Sequence, residues 1–172
     1  MGSKTDVDGK IIYPSLAWVY AKPWRVIAFS LGTGVLRPGP GTWGTVFGWL
    51  VWALLLTHLS DLAVGAVLVV SYIVGCWACQ RTGQDLGVSD HGGMNWDEAV
   101  AFWFVLWLSP DTWLAQTAAF LLFRFFDIVK PPPIRYFDQR FDNGFGVMWD
   151  DIVAAAYALL GMAVLVRLGV LT

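Results

Sequence analysis

Two pairs of adjacent carboxylates are the residues of this chain whose type and spacing best suit chemistry. Asp97 and Glu98 directly precede one apolar run, and Asp150 and Asp151 directly precede another. An ionised side chain at the edge of a hydrocarbon layer is unfavourable unless a cation, a metal or a water-filled cavity receives it. We therefore predict that the two pairs face each other across a divalent-metal site.

The types of donor atom favour a hard cation over zinc. Four carboxylates, with Asp127 as a candidate fifth, suit Mg²⁺, which binds through one or two carboxylates together with substrate phosphate and water. The only two histidines, His58 and His91, are predicted on opposite faces. Cys76 and Cys79 lie within an apolar segment, where we interpret them as buried packing residues.

Basic side chains near the second acid pair indicate that the site binds phosphate. Lys130 ends an apolar run, and the rigid segment 131–133 that follows holds Arg135 as a planar fork for phosphate oxygens. An ion-paired helix terminus formed with Arg124 and Asp127 is the alternative interpretation of the same spacing.

The Gly- and Pro-rich segment 32–45 is predicted to be a loop. It would deliver Thr42 and Thr45 to the start of the next helix, where hydroxyl caps and free backbone N–H groups favour an anion. A plain flexible loop is the alternative.

No side-chain nucleophile is indicated by the motifs of this sequence. A Cys-x₅-Arg phosphatase loop and an Asp-x-Asp-x-Thr/Val phosphoaspartyl motif are both absent. Metal-activated water, with a carboxylate as the proton acceptor, is therefore the predicted route to attack on a phosphate.

Composition predicts one integral-membrane domain. The 172 residues are 57% hydrophobic and 14% charged, with eleven Trp and a mean hydropathy of +0.59, well above the usual range for soluble domains. The net charge of −2 argues against nucleic acid as a partner. We expect residues 1–22 to be a flexible cytoplasmic tail and residues 23–172 to form a single membrane-embedded domain.

The apolar runs predict an all-α fold, a compact membrane helical bundle. Runs 46–59 and 62–79 form one helical hairpin, and 152–166 is the last span. Runs 99–108 and 113–126 are short, so they are either a shallow re-entrant pair or two helices lengthened by their flanks. The bundle then has about four spans, or two hairpins plus a C-terminal span.

The segment opened by Pro23 and Trp24 predicts an interfacial N-terminal helix. Trp belongs at the level of the lipid headgroups, and Arg25 would reach their phosphates.

The pairing of runs places segments 22–45, 80–98 and 124–151 on one membrane face. Most of the basic residues lie there, and the opposite turns at 60–61 and 109–111 carry none. The positive-inside rule then assigns that face to the cytoplasm. Soluble packing of the same helices is the alternative interpretation.

Four separated blocks resemble the phosphatidylglycerophosphatase A family. They are Gly-Pro-Gly-Thr-Trp-Gly-Thr at 39–45, Asp-His-Gly-Gly-Met-Asn-Trp-Asp-Glu at 90–98, Phe-Arg-Phe-Phe-Asp-Ile-Val-Lys-Pro-Pro-Pro-Ile-Arg at 123–135 and Gly-Phe-Gly-Val-Met-Trp-Asp-Asp at 144–151. The likeness runs in order over most of the chain.

This resemblance implies an all-helical, Mg²⁺-dependent enzyme of the bacterial inner membrane that converts phosphatidylglycerophosphate to phosphatidylglycerol, on the route to cardiolipin. It also implies site residues. The metal and water-activating set would be Asp97, Glu98, Asp150 and Asp151, and the groups around the phosphate would be Asp127, Lys130, Arg135 and Thr42. A small cation transporter or channel with a membrane-edge carboxylate site is the alternative from another functional class.

Overall fold

The computed structural model describes residues 14–132, 134, 136, 141 and 143–171, and within them the chain forms helices and no strand. The all-α prediction is therefore confirmed. Two 3₁₀ turns, Ser30–Val35 and Leu56–His58, flank the third helix. The α-helices among the described residues include α1 Leu16–Tyr20, α2 Pro23–Ala28, α3 Pro40–Leu54, α4 Asp61–Leu86, α5 Trp96–Trp107, α6 Trp113–Val129 and α7 Gly144–Arg167.

Side-chain caps and left-handed residues set the ends of the longer helices. Ser60, Thr112 and Asn143 each accept a hydrogen bond from the backbone N–H three residues later, which starts α4, α6 and α7. Gly87 ends α4 with a φ of +69°, and Lys130 ends α6 with a φ of +44°. Because α7 begins at its Asn cap, well before the apolar run, the second acid pair lies inside the helix.

The predicted loop 32–45 is partly helical, which corrects the sequence interpretation. Gly39, with a φ of +69°, turns the chain, and Pro40 opens α3 at a position where its missing N–H has no cost. Thr42 and Thr45 therefore lie within the first turns of α3.

The predicted N-terminal helix exists as α2, but Arg25 does not reach outward as expected. Its Nε donates to Asp85 Oδ2 over 2.8 Å, and its guanidinium stacks 3.8 Å from the ring centroid of Trp18. That part of the prediction was wrong, because the buried guanidinium already has an anion at the end of α4. Part of the predicted tail is also ordered, since α1 buries Val19.

Helix α5 is the central element of the bundle and packs against α3, α4, α6 and α7. Glycines allow the closest of these approaches. Gly44 and Gly48 of α3 lie against Asn95 and Ala99, and Trp103 Nε1 donates to the Gly48 carbonyl over 2.8 Å. The first turn of α5, which carries the first acid pair, is thereby held against the start of α3.

Two helices, α4 and α7, are long and apolar enough to cross a membrane by length and composition. Helix α5 has 12 residues, which at about 1.5 Å per residue extend ~18 Å, short of a ~30 Å hydrocarbon core. Helices α3 and α6, with 15 and 17 residues, are also shorter than a typical span.

Candidate active site

A cavity of about 430 Å³ opens at the end of the bundle where α3, α5 and α7 begin and α6 ends. Its polar lining is strongly acidic, with six carboxylates against two cations among the described residues. The charged lining residues are Asp90, Asp97, Glu98, Asp127, Asp150, Asp151, Arg124 and Lys130. The structure thus brings the two predicted acid pairs to one place.

Three of these acids come together closely enough to share an ion. Asp97 and Glu98 from the first turn of α5 and Asp151 from the second turn of α7 each offer a carboxylate oxygen, and these oxygens lie within 4.8 Å of one another. Asp97 Oδ1, Glu98 Oε2 and Asp151 Oδ2 are buried and accept no hydrogen bond from the part of the chain that the structure describes. Buried carboxylate oxygens without donors fit a hard cation, which would supply the missing positive charge.

Burial makes these carboxyls hard to ionise in the absence of a cation. It raises the pKa of Asp97 well above its usual range, and the neighbouring charges of Glu98 and Asp151 raise that pKa further. Burial likewise raises the pKa of Glu98 to about 7, where Asp127 adds to the effect, and a hydrogen bond with Asp97 and the Arg124 charge oppose it. A bound cation would favour the ionised form of both groups.

Arg124 joins three helices at the cavity wall. Its Nη1 lies 2.6 Å from Asp127 Oδ2 on the same helix, 3.8 Å from Glu98 Oε1 on α5 and 3.5 Å from Thr45 Oγ1 on α3. The i, i+3 pairing with Asp127 is the ion-paired terminus weighed from the sequence, and the same guanidinium also lines the cavity.

Lys130 and Asp150 form a second ion pair of the cavity, with 2.5 Å between Nζ and Oδ2. Lys130 adopts the left-handed backbone that favours glycine, since it ends α6 just before the Pro run. A non-glycine residue in this unfavourable backbone conformation beside a cavity is typical of functional sites, where a role for the side chain can outweigh local strain.

Comparison with known proteins identifies the family to which these features belong. The phosphatidylglycerophosphatase A family matches residues 26–166. Phosphatidylglycerophosphatase A of Haemophilus influenzae is 45% identical over 139 residues, covering 80% of this chain and 85% of the relative. Phosphatidylglycerophosphatase A of Escherichia coli is 37% identical over 135 residues, covering 78% of each protein.

This chain belongs to the phosphatidylglycerophosphatase A family. A provisionally named phosphatidylinositol-3-phosphatase of Bacteroides thetaiotaomicron is also similar, with 34% identity over 146 residues that cover 81% of this chain and 91% of the relative. No solved structure matches the chain.

The match to the phosphatidylglycerophosphatase A family spans every residue that lines the acidic cavity. Two of the charged lining residues, Arg124 and Asp90, were not singled out as site residues from the sequence. The only sequence signals for them were the i, i+3 spacing of Arg124 from Asp127 and the place of Asp90 in a polar segment.

Thr42 and Thr45, which were predicted to bind phosphate, do not line the cavity. Thr42 is exposed on α3, whereas Thr45 is buried and donates to the Gly41 carbonyl over 3.0 Å. Arg135 lies outside the described residues. His91 is buried, and its Nδ1 accepts a hydrogen bond from the Gly93 N–H over 3.0 Å.

Proposed function

We propose that this chain removes the terminal phosphate of phosphatidylglycerophosphate to give phosphatidylglycerol, with Mg²⁺ bound in the acidic cavity at the cytoplasmic face of a bacterial inner membrane. The relatives from Haemophilus influenzae and Escherichia coli carry the name of this activity. The observation that carries the proposal is the group of buried, unpartnered carboxylate oxygens on Asp97, Glu98 and Asp151.

The donor set fits Mg²⁺, because all three nearby ligand atoms are carboxylate oxygens and none is nitrogen or sulfur. Asp97, Glu98 and Asp151 would hold the ion. When bound, Mg²⁺ neutralises phosphoryl charge and lowers the pKa of water. Asp150 has a different role in this scheme, since its carboxylate is paired with Lys130 and keeps that ammonium at the cavity.

The cations of the cavity would bind and orient the phosphate. Arg124, held by Asp127, and Lys130, held by Asp150, bring two positive groups to a cavity that is otherwise acidic. Such groups favour a dianionic phosphate and stabilise the negative charge that develops on its oxygens during attack. A carboxylate of the cluster accepts the proton that the attacking water loses.

The exposed surface supports placement of the bundle in a bilayer. In the most apolar windows of α4 and α7, only 28% and 33% of the residues are buried inside the protein. Leu62, Ile73 and Leu160 are among the large apolar side chains left exposed. A soluble protein rarely exposes so much apolar surface, so the multi-pass membrane arrangement is favoured over soluble packing.

Phosphate release from phosphatidylglycerophosphate, with and without Mg²⁺, tests this function. We expect turnover that disappears with a chelator and returns with Mg²⁺, and that exceeds turnover of other lipid phosphates. A phosphatidylinositol 3-phosphate arm belongs in the panel because of the Bacteroides thetaiotaomicron relative.

Variants of the three clustered acids, Asp97, Glu98 and Asp151, make the assay specific to the cavity. Asp97→Asn and Asp151→Asn should each lower kcat by roughly 10²-fold or more, because each removes a charged oxygen that the cation needs. Asp111→Asn, at an exposed acid outside the cavity, is the control that keeps activity. Near-normal turnover in both cavity variants would refute the assignment of this cavity as the active site. Mg²⁺ flux into liposomes without phosphate release would favour the transporter alternative.

A further inference from the structure

A second cavity of about 510 Å³ lies on the outer surface between α4, α5 and α7. We refer to it as the apolar groove. Its walls are aliphatic and aromatic, and among the described lining residues only Tyr72 and two Trp residues carry polar side-chain atoms. The wall residues that matter here are Gly65, Tyr72, Val100, Phe104, Trp107 and Trp149.

One end of the apolar groove lies at the level of Asp97, Glu98 and Asp151, which we call the acid cluster. Trp149 directly precedes Asp150, and Val100 follows Glu98 by two residues, so the helices that carry the acids also form the groove walls. The Phe145 ring stacks on Trp149 at 5.7 Å and meets Tyr72 edge-on at 6.3 Å. These rings lie at the near end of the groove, beside the first turns of α7.

The other end lies deeper along the bundle, near the start of α4. There Gly65 faces Trp107, and a methyl group at Gly65 would stand 3.5 Å from the indole. Trp107 Nε1 donates to Asp61 Oδ1 over 3.3 Å at the first residue of α4. Gly65, Leu68 and Tyr72 all line the groove, and the seven steps from Gly65 to Tyr72 extend about 10 Å at ~1.5 Å per residue, so the groove runs along the axis of α4.

We propose that the apolar groove holds one acyl chain of the phospholipid substrate and so fixes the position of its phosphate at the carboxylates. This inference rests on the proposed function. A phospholipid places its phosphate at the interface and its chains along the membrane normal, and the groove has the same direction relative to the acid cluster. Val69 and Ile73, which border it, are 60% and 62% exposed, so a chain can enter from the side without leaving the bilayer.

Orientation is the main consequence of such a groove. Apolar contacts with protein replace apolar contacts with lipid, so burial of the chain adds little affinity in a membrane. A chain held along α4 instead restricts the depth and rotation of the headgroup, and positioning of a reacting group strongly affects rate. The groove should therefore raise kcat/KM for long-chain substrates and leave short-chain substrates unaffected.

Two adjacent valines provide a matched test. Val69 lines the groove, whereas Val70 does not, and the two are 60% and 59% exposed. We expect Val69→Trp to lower kcat/KM for dipalmitoyl phosphatidylglycerophosphate about tenfold or more in mixed micelles, because the indole occupies the path of the chain. The dihexanoyl substrate should be turned over normally by Val69→Trp, and Val70→Trp should leave both substrates unaffected.

Gly65→Leu fills the deep end of the groove and should give the same loss of preference for the long chain. Unchanged long-chain to short-chain ratios in both Val69→Trp and Gly65→Leu would overturn the proposal. Normal turnover of the dihexanoyl substrate shows that a variant is folded. An absence of phosphate release from the wild-type protein would instead contradict the proposed function.

Photocrosslinking tests the groove without relying on turnover. The probe is phosphatidylglycerophosphate with a diazirine in the middle of one acyl chain. It should label the α5 peptide that contains Phe104 and Trp107, and Val69→Trp should remove that label while Val70→Trp keeps it. Unlabelled phosphatidylglycerophosphate should compete for labelling more strongly than phosphatidylethanolamine. Equal competition by both lipids would show ordinary bilayer lipid in the groove and would overturn the proposal.

Discussion

At the scale of single residues, Gly41 shows how tightly the acid cluster is enclosed. The backbone of α3 passes directly over the α5 acids, and Gly41 lines the cavity. A methyl group added there would overlap Glu98 Oε1 and would stand 3.0 Å from Arg124 Nη2. Glycine is therefore required by this close approach rather than by an unusual backbone angle.

Gly41→Ala should reduce activity strongly while leaving the protein folded. The added methyl must displace Glu98, Arg124 or both, which are the proposed metal ligand and the proposed phosphate-binding cation. We expect a loss of roughly 10²-fold in kcat/KM, in line with displacement of about 1 Å at a catalytic group. The measurement is phosphate release at saturating Mg²⁺.

Gly161→Ala is the control, because Gly161 lines neither cavity and its added methyl would meet only side-chain carbons of Leu122. Full activity of Gly41→Ala would mean that the Glu98 and Arg124 positions are not important for turnover.

The convergence of the acid pairs could be predicted from the sequence, whereas the presence of Arg124 in the same cavity could not. Asp97-Glu98 and Asp150-Asp151 each precede an apolar run, and helix pairing alone brings such positions to one end of a bundle. Arg124 is different, because its spacing from Asp127 is the same for an exposed ion pair as for a site residue. Only its distance from Glu98, on another helix, separates the two interpretations.

At the scale of elements, the end of α4 anchors the N-terminal helices. Asp85 Oδ2 accepts from Arg25 Nε and Trp24 Nε1, each over 2.8 Å, and Asp85 Oδ1 accepts from Lys22 Nζ over 3.2 Å. Trp18 covers the Arg25 guanidinium from the other side. Asp85 thus joins α2 to α4, and Arg25 connects α1 to the same group through Trp18.

Asp85→Asn should lower stability more than catalysis. The substitution leaves the Arg25 guanidinium, whose side chain is 10% exposed, without its anion, and loss of a charged hydrogen-bond partner costs about 1–3 kcal/mol. We expect a lower Tm in detergent and near-normal kcat well below that Tm, since Asp85 does not line the cavity. Asp111→Asn is the control. An unchanged Tm would show that the contact between α2 and α4 does not depend on this ion pair.

Element boundaries were less predictable than element types. The apolar runs located α4, α5, α6 and α7. The polar residues that flank these runs are also helical, up to the capping residue at each end. Helix α4 extends through Gln80 and Arg81 to Leu86, because these polar side chains remain on its exposed face until Gly87 turns the backbone. Hydropathy marks where a helix is buried in an apolar medium, whereas capping residues mark where it ends.

At the scale of the whole molecule, contacts between distant segments gather the polar clusters at one end. Asn95 Nδ2 donates to the Pro40 carbonyl, the Gly144 N–H donates to Gln80 Oε1, and Lys130 pairs with Asp150. The start of α4, joined to Trp107, lies at the opposite end. This placement of the polar clusters at one end of the bundle accords with the sequence-based prediction that the basic segments share one membrane face, which we propose is cytoplasmic.

Cysteine labelling at the two ends of α4 tests that orientation. Gln84 is exposed at the cavity end, and Leu59 is 43% exposed in the turn that precedes α4. The 26 residues of α4 extend about 39 Å, enough to place its two ends on opposite sides of a ~30 Å hydrocarbon core. A membrane-impermeant maleimide should therefore label Gln84→Cys only in inverted vesicles and Leu59→Cys only in right-side-out vesicles.

The wild-type protein controls for the native thiols, of which Cys79 is buried and Cys76 half-buried. Labelling of both variants from the same side would show that α4 does not cross the membrane, which would leave the acidic cavity without a defined face. The reverse pattern would place the cavity outside the cytoplasm and contradict the proposed orientation. Under the proposed orientation, the substrate phosphate, the carboxylates and cytosolic Mg²⁺ all meet at one interface, while the groove beside α4 extends into the bilayer.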